Sequence, residues 1–143
     1  MVGFSSCTKE EITEDVQFLE SDFFGNCFQI SRDHEEVVIR TQKEYETLFI
    51  ANKWNAGSCE NYDFPSINFK KYTLIGVYTT GTGCTTTYER KVEQKGNQEV
   101  TYNVLVISSG GCLPLRMDMN WALIPKIKKR TDVTFYVEAI ATY

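Results

Sequence analysis

The chain has 143 residues and a mass of 16.4 kDa, the size of one domain with a full core. With 42% hydrophobic and 24% charged residues it is neither disordered nor supercharged, and a net charge of -4 with an isoelectric point near 5.1 lacks the basic footprint of a nucleic-acid binder. No run of eighteen apolar residues occurs, which excludes a membrane-spanning helix within this sequence.

Charge is uneven along the chain. Residues 1–36 hold nine acidic and two basic side chains (net -7), and residues 37–143 hold ten acidic and thirteen basic (net +3). The acidic N-terminal stretch contains Cys7, the odd member of five cysteines. Phe4-Ser5-Ser6-Cys7 resembles the bacterial lipobox, in which small residues precede a cysteine that becomes lipid-modified. Only Met1, Val2 and Gly3 stand upstream, so the apolar run that precedes a lipobox is not in this sequence. The following Thr8-Lys9-Glu10-Glu11 reads Cys-x-Lys-Glu-Glu, similar to the signal that sends lipoproteins to the outer face of the outer membrane in one large group of Gram-negative bacteria. The resemblance implies lipidation at Cys7, an export signal at Lys9, Glu10 and Glu11, and an outer-membrane, surface-exposed location, with a periplasm-facing one as the alternative. Residues 1–14 are then a leader and 15–143 a single β-rich domain.

Residues 12–31 carry two signals. Ile12, Val16, Leu19 and Phe23 sit at helical spacing, while Phe23, Phe24, Phe28 and Ile30 around Gly25 suit short strands joined by a turn, the reading preferred here. Val37 to Arg40 is a short apolar strand. A helix over about 42–53 follows, with Tyr45, Leu48, Phe49 and Asn52 on one side and a capping box of Thr41 and Glu44. His34, in Asp33-His34-Glu35-Glu36, reads as a surface residue.

The loop from Trp54 to Pro65 is rich in Asn, Gly and Ser. Trp54, Tyr62 and Phe64 make it the candidate binding surface, for a sugar or a protein, because exposed aromatics offer flat contact area at small entropic cost. The competing reading is that these rings cap the core beneath a loop pinned by Cys59.

Tyr72 to Thr80 is apolar on both parities, as in a strand covered on both faces, and should be central. Cys84 to Gln94 and Glu99 to Ser109 flank Lys95-Gly96-Asn97-Gln98, a hairpin signal. A three-residue loop opposes Val92 to Tyr102, Arg90 to Val104 and Tyr88 to Val106, a better match of facing side chains than the two-residue alternative. That register sets Cys84 opposite Gly110 and on the face of Cys112, with Gly110-Gly111 able to bend the chain and close the gap. Four cysteines allow three connectivities. The hairpin favours Cys84 with Cys112, which leaves Cys27 with Cys59, and in an oxidising compartment each bridge would contribute about 3 to 4 kcal/mol on a chain-entropy estimate. Metal binding is disfavoured, since CxxC and HxxxH spacings are missing and the chain has one histidine.

Met117, Met119, Trp121 and Leu123 alternate with Arg116, Asp118 and Asn120, and Val133, Phe135, Val137 and Ala139 alternate with Thr134, Tyr136 and Glu138. Both read as half-exposed strands with one face to the core. Between them Lys126, Lys128, Lys129 and Arg130 form a basic run, read as a solvated loop that protects neighbouring edges, with a phosphate or lipid-headgroup patch as the functional reading. The whole is mainly β (α+β): an antiparallel sheet or sandwich of about 6–8 strands with one amphipathic helix.

Ile67 to Gly76, then Thr80-Gly81-Thr82-Gly83-Cys84 and a long hairpin, then Trp121 to Pro125 before a last strand, resemble the PrcB-like C-terminal family, whose founding member belongs to a protease complex. Asn68-Phe69 stands where that family has an Asp-Phe pair, and Cys84 where it has an aromatic. The similarity spans about residues 67–138 and implies a small non-catalytic lipoprotein domain that supports another surface protein.

Catalysis finds little footing in the residues. No nucleophile motif occurs, and Gly81-Thr82-Gly83 lacks the third glycine, the lysine and the following helix of a phosphate cradle. A carboxylate pair could do glycoside hydrolysis, with candidates such as Asp118 or Glu138, yet nineteen acidic residues make some such pair inevitable. The expectation is a non-enzyme without cofactor, a protein-interaction module of the envelope; the alternative is a surface binder of a small ligand or glycan.

Overall fold

A computed structural model describes residues 8–31 and 34–142. Among the described residues, eight strands form two sheets. The outer sheet has the order β1 (Glu10–Ile12), β5 (Thr85–Lys95), β6 (Glu99–Ser109), β8 (Asp132–Thr142); the inner sheet has the order β2 (Gln17–Phe18), β7 (Arg116–Pro125), β4 (Tyr72–Gly81), β3 (Glu36–Ile39). One helix, α1 (Gln42–Ala51), lies against the free face of the inner sheet.

Side-chain parity explains the layering. On β4, Ile75 and Val77 point to the outer sheet and meet Val92, Val100, Tyr102, Val104 and Val106, while Leu74 and Tyr78 point the other way, to Tyr45 and Phe49 of α1. The inner sheet is therefore covered on both faces, and β4 is central as its composition requires.

The β5–β6 hairpin has the register read from the sequence: Val92 faces Tyr102, Arg90 faces Val104 and Tyr88 faces Val106. Extending it, Cys84 N–H donates to Ser109 O (2.7 Å), Gly110 takes a positive φ of 89°, and the chain turns so that Cys84 and Cys112 bond with their Cα atoms 4.7 Å apart. Cys27 bonds to Cys59, Cα to Cα 5.4 Å. Cys7 lies outside the described residues.

Other expectations need adjustment. The helix ends at Ala51 rather than near 53: Asn52 leaves the helical conformation (φ -114°, ψ 20°), and its side-chain amide joins its backbone N–H in donating to Leu48 O (2.9 and 3.1 Å). Its cap is a variant of the box: Glu44 N–H donates to Thr41 Oγ1 (3.2 Å), but the Glu44 carboxylate accepts from Arg40 N–H (3.0 Å), one residue before the cap. Strand β7 is buried on both faces, not one, since Asn120, Ala122 and Ile124 are buried beneath the outer sheet. Asn120 is a polar residue satisfied inside, its amide donating to Thr79 Oγ1 (2.7 Å). Strand β8 runs parallel to β6, the one parallel pairing in the described sheets. Residues 12–31 form neither the helix nor regular strands: β2 has two residues, Phe28 makes a single bridge to Lys53, and turns fill the rest.

Candidate functional site

The segment from Leu19 to Ile30 folds back over the start of β7, and its shape is fixed by backbone chemistry. Gly25 adopts φ +65°, and a Cβ there would stand 2.5 Å from the Tyr62 ring, so the tight turn and the ring over it both require glycine. Beyond the turn, Trp54 N–H donates to Cys27 O (2.9 Å) and Gln29 N–H to Asn52 O (2.6 Å). These bonds and the Cys27–Cys59 bridge hold the residues after α1 beside residues 27–29.

The result is a cleft of about 360 Å³. Its floor is the helix-facing row of β7, Met117, Met119 and Trp121, and its walls include Phe28, Ile30 and Trp54. Trp121 and Met119 are buried, whereas Met117 is 52% and Trp54 50% exposed, so the apolar row runs from the core out to solvent. Leu115, two residues before Met117, continues the exposed apolar surface.

On the other side of β7 lies a second cleft, of about 350 Å³, which shares Ser21, Asp118 and Met119 with the first. Here the groups are polar. Tyr88 Oη makes a short hydrogen bond to the Asp118 carboxylate, and Arg116 Nε pairs with the same carboxylate at 2.8 Å. Arg90 lies over the Phe18 ring and donates to Leu19 O (2.9 Å). Burial, reinforced by the bond to Asp118, pushes the Tyr88 phenol up to about 12, so it is a neutral donor over the physiological range. The pair of clefts thus offers apolar and aromatic contact beside a fixed donor and acceptor set, the make-up of a recognition surface.

Of the three aromatic candidates, Trp54 alone lines the cleft. Phe64 packs edge-on to Phe49 with ring centroids 4.9 Å apart, and Tyr62 packs on Phe64 at 5.4 Å, so these two rings cap the core of the helix layer. Asp118 and Glu138 line different surfaces: Glu138 lies with Glu11, Lys91 and Tyr136 in a shallow depression on the outer sheet. His34 is half-buried beside α1, and its Nδ1 has no hydrogen-bond partner among the described residues. Of the leader, Lys9 pairs with Glu99 (3.3 Å), and Glu10 and Glu11 are exposed residues of β1, paired to β5 opposite Gln94 and Glu93. Among the described residues no three His, Cys, Asp or Glu side chains are grouped to hold a metal ion, and no helix is long and apolar enough to cross a membrane.

Sequence reasoning missed Met117, Ile30 and the Tyr88–Asp118–Arg116 group. Met117 carried a usable signal, as the outermost member of an alternating row whose next residues are core. The polar group carried none, because Tyr88 and Asp118 meet across two sheets. No family model, curated protein or solved structure matches the chain.

Proposed function

We propose that this chain is a non-catalytic envelope lipoprotein domain, anchored through Cys7 at the bacterial outer membrane and facing outward, that docks a partner protein in the cleft at Trp54. The observation that carries the docking is the half-exposed row of Trp54, Met117 and Ile30 lying beside Arg116 and Tyr88, since Trp, Tyr, Met and Arg are the residue types enriched where proteins meet. Its occupant is an extended partner segment with an apolar anchor for the Met117 side and a neighbouring polar group for the Arg116–Asp118–Tyr88 side. Export is supported by the two cystine bridges, which belong to oxidising compartments, and by the residues around Cys7.

The test is stoichiometric capture. The full chain, incubated with envelope extract from its host, should retain one dominant polypeptide, and Trp54→Ala with Met117→Ser should weaken that retention at least tenfold while thermal unfolding changes little. Retention insensitive to both substitutions would remove the cleft from the interaction. Trp54-dependent binding to purified surface polysaccharide, with no protein captured, would move the function to the glycan-binding alternative.

A further inference from the structure

The basic run between β7 and β8 has a place in the fold that the docking cleft leaves unused. Lys128, Lys129 and Arg130 are exposed, as is Lys70 in the turn before β4, and none of the four has an acidic partner among the described residues. The two segments are fastened together: Lys126 N–H donates to Lys71 O (2.8 Å), and Lys126 Nζ donates to Phe69 O (2.7 Å) and Arg40 O (3.2 Å). The loop is also tied to the β5–β6 hairpin tip, with Thr131 Oγ1 donating to Asn97 O (2.8 Å) and Asp132 N–H to Gln98 O (3.0 Å). The cations therefore stand on a fixed rim that closes one end of both sheets.

Three acidic groups at this end are engaged: Asp15 faces Lys71 at 4.0 Å, Glu99 faces Lys9, and Glu44 caps α1; Glu10, Glu14 and Asp132 stand at the border. A second, independent observation concerns the start of the described chain. Glu10 pairs with Gln94, and Lys9 Nζ reaches Glu99 (3.3 Å) and Thr101 (3.2 Å), so Thr8 stands at this same end, beside the hairpin. The cleft is at the other end, because Pro125 of β7 pairs with Tyr72 at the basic rim while Met117 lies eight residues back along the strand, roughly 26 Å away.

We infer that the rim formed by Lys70, Lys128, Lys129 and Arg130 is a membrane-contact surface for the phosphates of anionic lipid headgroups. A chain tethered next to Thr8 carries this end toward the bilayer and presents the cleft away from it. A basic patch adds electrostatic attraction to whatever a lipid anchor supplies, each cation near an anionic surface strengthening binding about fivefold. The setting rests on the anchor reading of Cys7; the surface itself does not.

The test uses the full chain carrying Cys7→Ser, so that neither a thiol nor a lipid contributes, and sediments it with vesicles of phosphatidylglycerol and phosphatidylcholine at low salt. Binding to the mixed vesicles, little binding to pure phosphatidylcholine, and release by high salt are expected. Lys128→Gln with Lys129→Gln should weaken binding at least tenfold, and Lys91→Gln, on the outer sheet face, less than twofold, with unchanged thermal unfolding in both. Equal binding to the two vesicle types, or a double variant that sediments like its parent, would overturn the inference. Either failure leaves the Cys7 anchor standing, which is read separately by cell fractionation.

Discussion

Two positions at the scale of single residues make strong demands. Gly76 on β4 lies opposite Trp121 on β7, and the indole covers the place a Cβ would occupy. Gly76→Ala must displace a buried ring that Phe24, Phe28 and Phe49 hold from other sides, so a loss of about 1 to 3 kcal/mol is expected in urea unfolding. A neutral result would mean the inner sheet is looser than the packing implies. The second position is Tyr88. Its phenol is raised from 10.0 to about 12 by burial first and by the Asp118 bond second, so the folded state holds the proton more tightly than the unfolded one. The protonated form dominates in both states below pH 10, and there its contribution is whole. Between about pH 10 and 12 the unfolded chain binds fewer protons, so stability falls as pH rises. Tyr102, buried and pushed up to about 12, acts in the same direction. Tyr88→Phe is expected to make the alkaline decline of stability shallower, read by denaturant titrations at pH 9 and pH 11; an unchanged slope would mean that Tyr88 ionises alike in both states.

At the scale of elements, the two bridges close loops of similar length, with separations of 32 and 28 residues, and on chain entropy alone their removal should cost roughly the same, about 3 to 4 kcal/mol. Their local effects differ. Cys27–Cys59 holds the strand-like contact on which Trp54 N–H depends, whereas Cys84–Cys112 closes an exposed end of the hairpin. Replacing Cys27 and Cys59 by alanine should speed hydrogen exchange at the Trp54 and Gln29 amides, and replacing Cys84 and Cys112 should leave those amides slow. Peptide maps without reductant should show these two pairs and leave Cys7 outside both. The same elements show where sequence reading works. The hairpin register was legible because Gly96-Asn97-Gln98 fixes the loop and every facing pair then agrees. The second face of β7 was not, because Asn120 reads as solvent-facing until Thr79 of another strand supplies its partner. Trp54 stood out as an aromatic in a polar loop; Tyr88 and Asp118 are 30 residues apart and only the stacking of two sheets joins them. Local pattern carries local pairing, and contacts between layers need the assembled core.

At the scale of the molecule, the proposed anchor at Cys7 and the proposed export signal at Lys9, Glu10 and Glu11 can be tested separately. Cys7→Ala should release the protein from membranes into the soluble envelope fraction with its unfolding curve unchanged; persistent membrane association would sink the anchor. Changing Lys9, Glu10 and Glu11 to alanine should keep the protein membrane-bound but hide it from protease added to intact cells. Folding is not in question in that variant, because the contacts it loses among the described residues are the partly exposed Lys9–Glu99 pair, which salt and solvent screen, and the Lys9 bond to Thr101.

The parallel pairing of β8 with β6 has a consequence in time. Glu99 aligns with Asp132, so every rung of that ladder joins residues 33 apart, and no tight turn can bring them together early. β8 also follows every other strand of the two described sheets. During synthesis the hairpin can form as soon as it emerges, yet the outer sheet stays one strand short until residues 132–142 arrive. Such distant pairings place folding in the range of roughly milliseconds to seconds rather than microseconds. For that interval Phe135 has not covered Tyr102, and the apolar side of β6 is open to whatever is nearby. The speed with which the eleven residues of β8 dock therefore decides how long the maturing chain is exposed to aggregation.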